Sequence, residues 1–322
     1  MTTTSVGAPP PSVEASSAEV ARDPARRHGR RLTPYLFLVP FFLVFTTFVL
    51  VPIAVGAWAS LHRWSLGLPG RPFVGLENYG RLLDGSEVVS VEFWSGMRAT
   101  GLFTLLSVPL LVVVPFAVAM LLNQKFRGRT FFRAVYFAPY VLGVAVIGLL
   151  WRYLLDAQLG PVNQLLAAVG LPGDTLWTSS LPAGWVSLVG VTVWWTLGFN
   201  AVIFLAALQD VPAELHEAAK VDGAGAWRRF GAVTLPSMRR VLQFVVTITI
   251  IASANMYGQA ALVTQEQPGT ATRTAIGFIA QTGIEGFDIG SASAMSMVLA
   301  VLLMVVSGLV LAAFSRVGGS DR

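Results

Sequence analysis

Cysteine is absent from the 322 residues, which excludes disulfides, thiolate metal sites and cysteine nucleophiles. Lysine is nearly absent too: Lys125 and Lys220 are the two lysines among 22 basic residues. Charge of either sign is scarce, at 12% of the chain, against 54% hydrophobic residues. A chain of this composition cannot bury its apolar surface in a water-soluble fold of ordinary proportions, and it belongs in a membrane. The net charge of +5 does not point to nucleic acid, because the basic residues sit in short blocks beside apolar runs instead of forming a continuous stripe. No G-x-x-x-x-G-K-[ST] loop is present to cradle nucleotide phosphates. His62 and His216 lack metal-ligand spacing, and no carboxylate, histidine and serine constellation marks an enzyme.

What the chain does have is six apolar runs, Pro34 to Trp58, Thr100 to Leu122, Val135 to Leu155, Trp185 to Leu208, Val241 to Val263 and Ser291 to Phe314. Each is long enough to cross a hydrocarbon layer of about 30 Å as a helix, and helices satisfy their own backbone in lipid. The expectation is an all-α polytopic membrane protein. Arginine and lysine fix the orientation, because cytoplasmic loops keep an excess of them. One side receives 16, the other the six at Arg63, Arg71, Arg81, Arg98, Arg152 and Arg273. Both termini are therefore expected in the cytoplasm. The expected layout is a disordered tail over 1–33, a membrane domain over 34–316 and a short cytoplasmic tail over 317–322. Ala57-Trp58-Ala59 resembles a signal-peptidase site, but the apolar run before it is about twice the length of a signal h-region, so a retained span is expected. Outside, Val74 to Tyr79 and Gly160 to Gly170 read as short surface helices, the second with proline at its start and glycine at its end.

Between the fourth and fifth runs lies a charged, glycine-punctuated insert over 210–238. Pro212 permits a new helix, Ala213 to Val221 reads helical, Asp222-Gly223 breaks it with Asp222 positioned to cap the next helix, and a second arm carries Trp227, Arg228, Arg229 and Phe230. Positive-inside counting puts this bent knob in the cytoplasm.

The knob resembles the signature of the membrane subunit of binding-protein-dependent ABC importers. The matching residues are Glu217-Ala218-Ala219, Asp222-Gly223 and, after nine further residues, Val233, one spacer and Leu235-Pro236. The resemblance implies a type I importer permease fold. It also implies that Glu217, Ala218, Ala219, Asp222, Gly223, Leu235 and Pro236 belong to a coupling loop seated on a cytoplasmic ATPase, with Arg228 and Arg229 at the rim. Further stretches, Phe73 to Tyr79 and Phe287-Asp288-Ile289-Gly290 with Ala292-Ser293-Ala294, are similar to permeases of the maltose, lactose and glycerol-phosphate class. One departure stands out: Thr264 to Pro268 replaces a glycine-rich outer turn. The implied assembly has a second permease, two ATPase subunits that use ATP and magnesium, and an extracytoplasmic solute-binding protein in the plasma membrane of a bacterium. This chain itself would bind no cofactor.

Polar residues within spans mark the candidate path, because each is costly in lipid unless it faces water or a partner. The fourth run supplies Trp195, Phe199 and Asn200 beside Thr192, Trp194 and Thr196; the fifth supplies Asn255, Tyr257 and Gln259 beside Ser253. Aromatic faces with amides and hydroxyls suit a sugar. By resemblance, Asn255 and Tyr257 fall on a sugar-lining segment. The same residues also suit interhelical bonding. A non-sugar importer cargo (glycerol 3-phosphate, a polyamine or a peptide) remains open, and so does a secondary carrier, although a carrier calls for mid-membrane ionisable groups that these runs lack.

Overall fold

The computed structural model describes residues 24–124 and 126–318. Two compact units are distinguished, residues 1–55 and 56–322. α1 (Pro24–Phe45) runs through a π turn at Thr46–Leu50 into α2 (Val51–Ser60), whose last five residues belong to the second unit, and together they give a candidate span over Tyr35–Ser60. Helix begins at Pro24, inside the stretch expected to lack order. The arginines that follow are good helix formers. Residues 1–23 and 319–322 lie outside the described residues.

The second unit is built on α4 (Val88–Asn123) and α8 (Ala183–Gln209), both long and apolar enough to cross a membrane, as is α14 (Ile289–Gly318) over Ile289–Phe314. Two other spans are bent. The third expected run is α5 (Arg129–Val141) and α6 (Val144–Leu154), meeting at 100°. The fifth joins the segment Ala226–Ser237 to α12 (Arg239–Ala254) at 68°. Four helices among the described residues are long and apolar enough to span by themselves, and counting each bent pair as one span brings the candidates to six. The first bend follows Pro139, which cannot donate to the Val135 carbonyl, and it falls at Gly143. The second falls at Met238, which is fully buried.

Proline also explains two widened turns. The Val51 N–H reaches back to Thr46 O just before Pro52, and the Leu235 N–H reaches Phe230 O just before Pro236. Widening one turn moves a carbonyl away from the proline ring.

Between spans lie α3 (Glu77–Leu83) and α7 (Pro161–Ala168), close to the two expected surface helices, with Gly170 at φ +81 closing the second. These connecting loops are tied together by the two stretches that carried the resemblance. Asn78 Nδ2 donates to the Ser60 and His62 carbonyls, the Gly290 N–H donates to Trp64 O at 3.0 Å, and Arg81 reaches Ser291 Oγ. Asp288 caps α14 by accepting the Ser291 N–H at 3.0 Å. A Cβ on Gly290 would stand 2.4 Å from His62 O. That close approach of two backbones requires glycine.

Lipid gives helices no hydrophobic reason to associate, so close fit between small residues does the work. A Cβ on Gly198 of α8 would meet Tyr136 O of α5 at 2.4 Å, and one on Gly148 of α6 would meet Leu262 at 2.4 Å. Side chains fill three buried clusters: one around Phe103, Leu188 and Met256, one around Phe116, Phe204 and Met238, and one around Phe93, Phe278 and Met295.

Candidate functional site

α12 stops inside the bundle. Asn255 caps it, Met256 and Tyr257 are irregular, and helix resumes at 258 to end in a π turn at Ala260–Thr264. The run expected as one helix over Val241 to Val263 is thus broken at 255–257. Irregular backbone at membrane depth is tolerated where it lines a cavity, and a cavity of 630 Å³ opens there. Trp195, Phe199, Asn200, Asn255, Tyr257 and Gln259 all line it. Trp194 does not: one residue, about 100° of helix, turns it away, and its ring meets Trp151 edge-on at 5.3 Å.

These six residues differ in what they have left to offer. Asn200 is buried, and its Nδ2 donates to Leu111 O of α4 at 3.0 Å. That carbonyl is the one Pro115 cannot serve, so Asn200 replaces the missing helical bond. Trp195 Nε1 donates to Leu142 O at the α5–α6 bend, at 3.0 Å. Asn255 Nδ2 turns back to Ile251 O. The Tyr257 hydroxyl and the Gln259 amide make no hydrogen bond among the described residues. Phe199 stacks on Tyr140 with ring centres 4.8 Å apart. Tyr140 and Phe244 also line the cavity, and sequence reading missed both. Only the bend brings Tyr140 to the fourth span, whereas Phe244, one residue after Gln243 on α12, was legible as aromatic and passed over. The lining holds no carboxylate, ammonium or guanidinium.

A second feature lies at the other end of α12. α9 (Ala213–Val221) ends in a turn in which Gly223 takes φ +75, with the Gly223 N–H on Lys220 O at 3.0 Å and the Ala224 N–H on Ala219 O at 2.9 Å. This pair of bonds satisfies the last carbonyls of α9 and needs a left-handed residue. Asp222 closes α9 and caps nothing beyond it; α10 (Ala226–Arg229) starts after Gly225 with no side-chain cap. Glu217, Ala218, Asp222, Gly223, Leu235 and Pro236 are exposed and Ala219 is half-buried. Leu235 and Pro236 begin α11 (Leu235–Ser237). Val221 and Trp227, both 88% exposed, stand on the same hairpin. Behind them, Trp227 meets Phe230 at 6.2 Å, Phe230 meets Phe116 of α4 at 6.1 Å, and Phe116 meets Phe204 of α8 at 5.2 Å.

A bundle of apolar helices lining an uncharged cavity with aromatic and amide walls, with an exposed hairpin on the segment that leads into it, defines a multi-pass membrane permease. The chain belongs to the family of binding-protein-dependent transport system inner membrane components, whose model matches residues 100–317. It is 33% identical over 284 residues to the arabinooligosaccharides transport system permease of Halalkalibacterium halodurans, covering 87% of each chain. It is 31% identical to the trehalose/maltose transport system permease of Thermococcus litoralis, covering 84% of this chain and 89% of that one. It is also 31% identical to the diacetylchitobiose uptake system permease of Streptomyces coelicolor, over 95% and 92%. In fold it is similar to a chain of a bacterial importer of the acidic polysaccharide alginate, with a TM-score of 0.77 at 20% identity over 91% of this chain and 98% of that one.

Proposed function

We propose that this chain is a permease subunit of an ATP-binding cassette importer for carbohydrate. With a second permease it forms the path for a sugar delivered by an extracytoplasmic solute-binding protein. Two cytoplasmic ATPase subunits, which use ATP and magnesium, drive it through the 210–238 loop. The chain lies in the plasma membrane with both termini in the cytoplasm, so the hairpin faces inward and the broken end of α12 lies toward the outside. The observation that carries the reading is the uncharged cavity of 630 Å³ with aromatic and amide walls. Rings stack on the C–H faces of a sugar, while Tyr257, Gln259 and Asn255 address its hydroxyls. A phosphate ester calls for a guanidinium or ammonium, a polyamine for carboxylates, and an ion-coupled carrier for ionisable groups. The cavity lining has none of these.

The mechanism rests on one rod. α12 spans 16 residues, about 24 Å at 1.5 Å per residue, with the hairpin at one end and the cavity along the rest, from Phe244 to the break at Asn255. Closure of the ATPases displaces the hairpin, and the aromatic contacts from Trp227 through Phe230 to Phe116 hold it against α4, so the displacement tilts whole spans and changes which side the cavity opens to. No covalent intermediate is needed.

The test is uptake of labelled oligosaccharide by the complete importer in vesicles. Trp195→Ala and Tyr257→Ala each should raise the apparent KM about threefold to tenfold, the range of one aromatic contact. Leu105→Ala, on an exposed face of α4, should change nothing. Unaltered uptake in both cavity variants would remove the proposal.

A further inference from the structure

A smaller cavity of 200 Å³ lies beside the main one, and the two share Tyr257 as a wall. It sits past the end of α12 that is remote from the hairpin. The amides of Gln265 and Gln281 and the carboxylates of Glu266 and Glu285 line it. Its shape is built in. Gln265 and Glu266 take φ +51 and +63 in succession, a region L residues seldom adopt. The Glu266 N–H is held by Ala260 O at 3.0 Å. Gly277 leaves room for the Glu266 carboxylate, because a Cβ there would lie 2.6 Å from Oε1.

Charge separates this cavity from the main one. Glu266 is paired with Arg273, both side chains 18% exposed, and Arg273 also stands 3.9 Å from Glu92. Arg273 is thus shared between Glu266 and Glu92, and Glu285, which makes no ion pair among the described residues, leaves a second carboxylate in the lining. Such a pocket accepts hydrogen bonds from sugar hydroxyls or an ammonium and repels a carboxylate. The main cavity is aromatic and uncharged, so it takes ring faces. The two together take linked rings in succession.

We infer that Gln265, Gln281 and Glu285 form an outer subsite that binds the next ring of a neutral or amino-substituted oligosaccharide and excludes uronate chains. The inference rests on the proposed carbohydrate path, and it adds a minimum cargo length and a charge preference. Gln265 and Glu266 lie in the stretch that replaces the glycine-rich turn of similar permeases, so the departure gains a role: it supplies side chains where glycines offer none.

The experiment uses the assembled permeases and ATPases without the solute-binding protein, so that delivery does not enter. Ala252, exposed in the main cavity, is changed to cysteine in this otherwise cysteine-free chain, and its maleimide labelling is followed by the mass of this chain. The protecting ligands are β-1,4-linked trimers of glucose, glucosamine and glucuronate, together with glucose. The glucose and glucosamine trimers should protect and the glucuronate trimer should not. Adding Glu285→Gln should raise protection by the glucuronate trimer relative to the glucose trimer about fivefold, the scale of one exposed charge interaction. Adding Gln281→Ala should weaken protection by trimers and leave that by glucose unchanged. If the glucose trimer protects but Glu285→Gln leaves the ratio unaltered, the subsite is refuted and the carbohydrate path stands. If no sugar protects, both fall.

Discussion

Replacing Asn200 by alanine removes the side-chain donor to the Leu111 carbonyl. The bond is 3.0 Å long and buried, and without it the carbonyl lacks the i+4 helical N–H, which Pro115 cannot supply. A neutral hydrogen bond contributes about 1 kcal/mol, and an orphaned buried acceptor costs about 1–3 kcal/mol. Bonds between membrane helices measure lower, averaging about 0.6 kcal/mol, so the expected loss is about 1–2 kcal/mol. The informative partner is Pro115→Ala, which restores an N–H to Leu111 O. In that background Asn200→Ala should lose most of its cost, giving a coupling of about 1 kcal/mol in a double-mutant cycle. Denaturant unfolding of the purified protein in mixed micelles reads all four corners. Additivity to within about 0.3 kcal/mol would refute the claim that the asparagine compensates the proline, and would return Asn200 to the list of residues kept for cargo.

Two further outcomes rest on local geometry. Gly223→Leu places a side chain at φ +75 where a Cβ meets nothing within 4 Å, so its internal cost is the left-handed backbone alone, about 1–2 kcal/mol; membrane insertion should persist while uptake and ATPase co-purification are lost, and normal uptake would argue against docking there. The Asp156 carboxyl is held below the usual range by the backbone N–H groups of Leu159 and then Gln158, so its contribution is full above the ordinary carboxylate value and fades as pH falls through the lowered folded value; the difference in unfolding midpoint between the protein and Asp156→Asn should therefore narrow as pH falls below the ordinary carboxylate value of about 4, and a gap that stays constant would contradict this.

The long spans were legible because apolar length alone identifies them, and the hairpin because Pro212, Gly223 and Pro236 punctuate it. The bend at Gly143 and the break at Asn255 were not. Both lie inside apolar runs whose hydropathy continues across them, and what stabilises them is tertiary: Gly198 against Tyr136, the Trp195 indole on Leu142 O, and Thr274 Oγ1 donating to Met256 O. Residues of the cavity on the fourth span were found from their polarity. Tyr140 escaped because its ring reaches Phe199 only through the bend. Asn200 was found for one reason and is held for another, since its bond answers a proline 85 residues earlier in the chain. The Asp288 carboxylate caps α14.

The most direct measurement is the structure of the complete importer trapped with an oligosaccharide. The account predicts a sugar ring lying against Trp195 and Tyr257, at the broken end of α12, with a second ring toward Gln281 and Glu285. Cargo held by the second permease alone, with this chain's cavity filled by side chains or lipid, would contradict it.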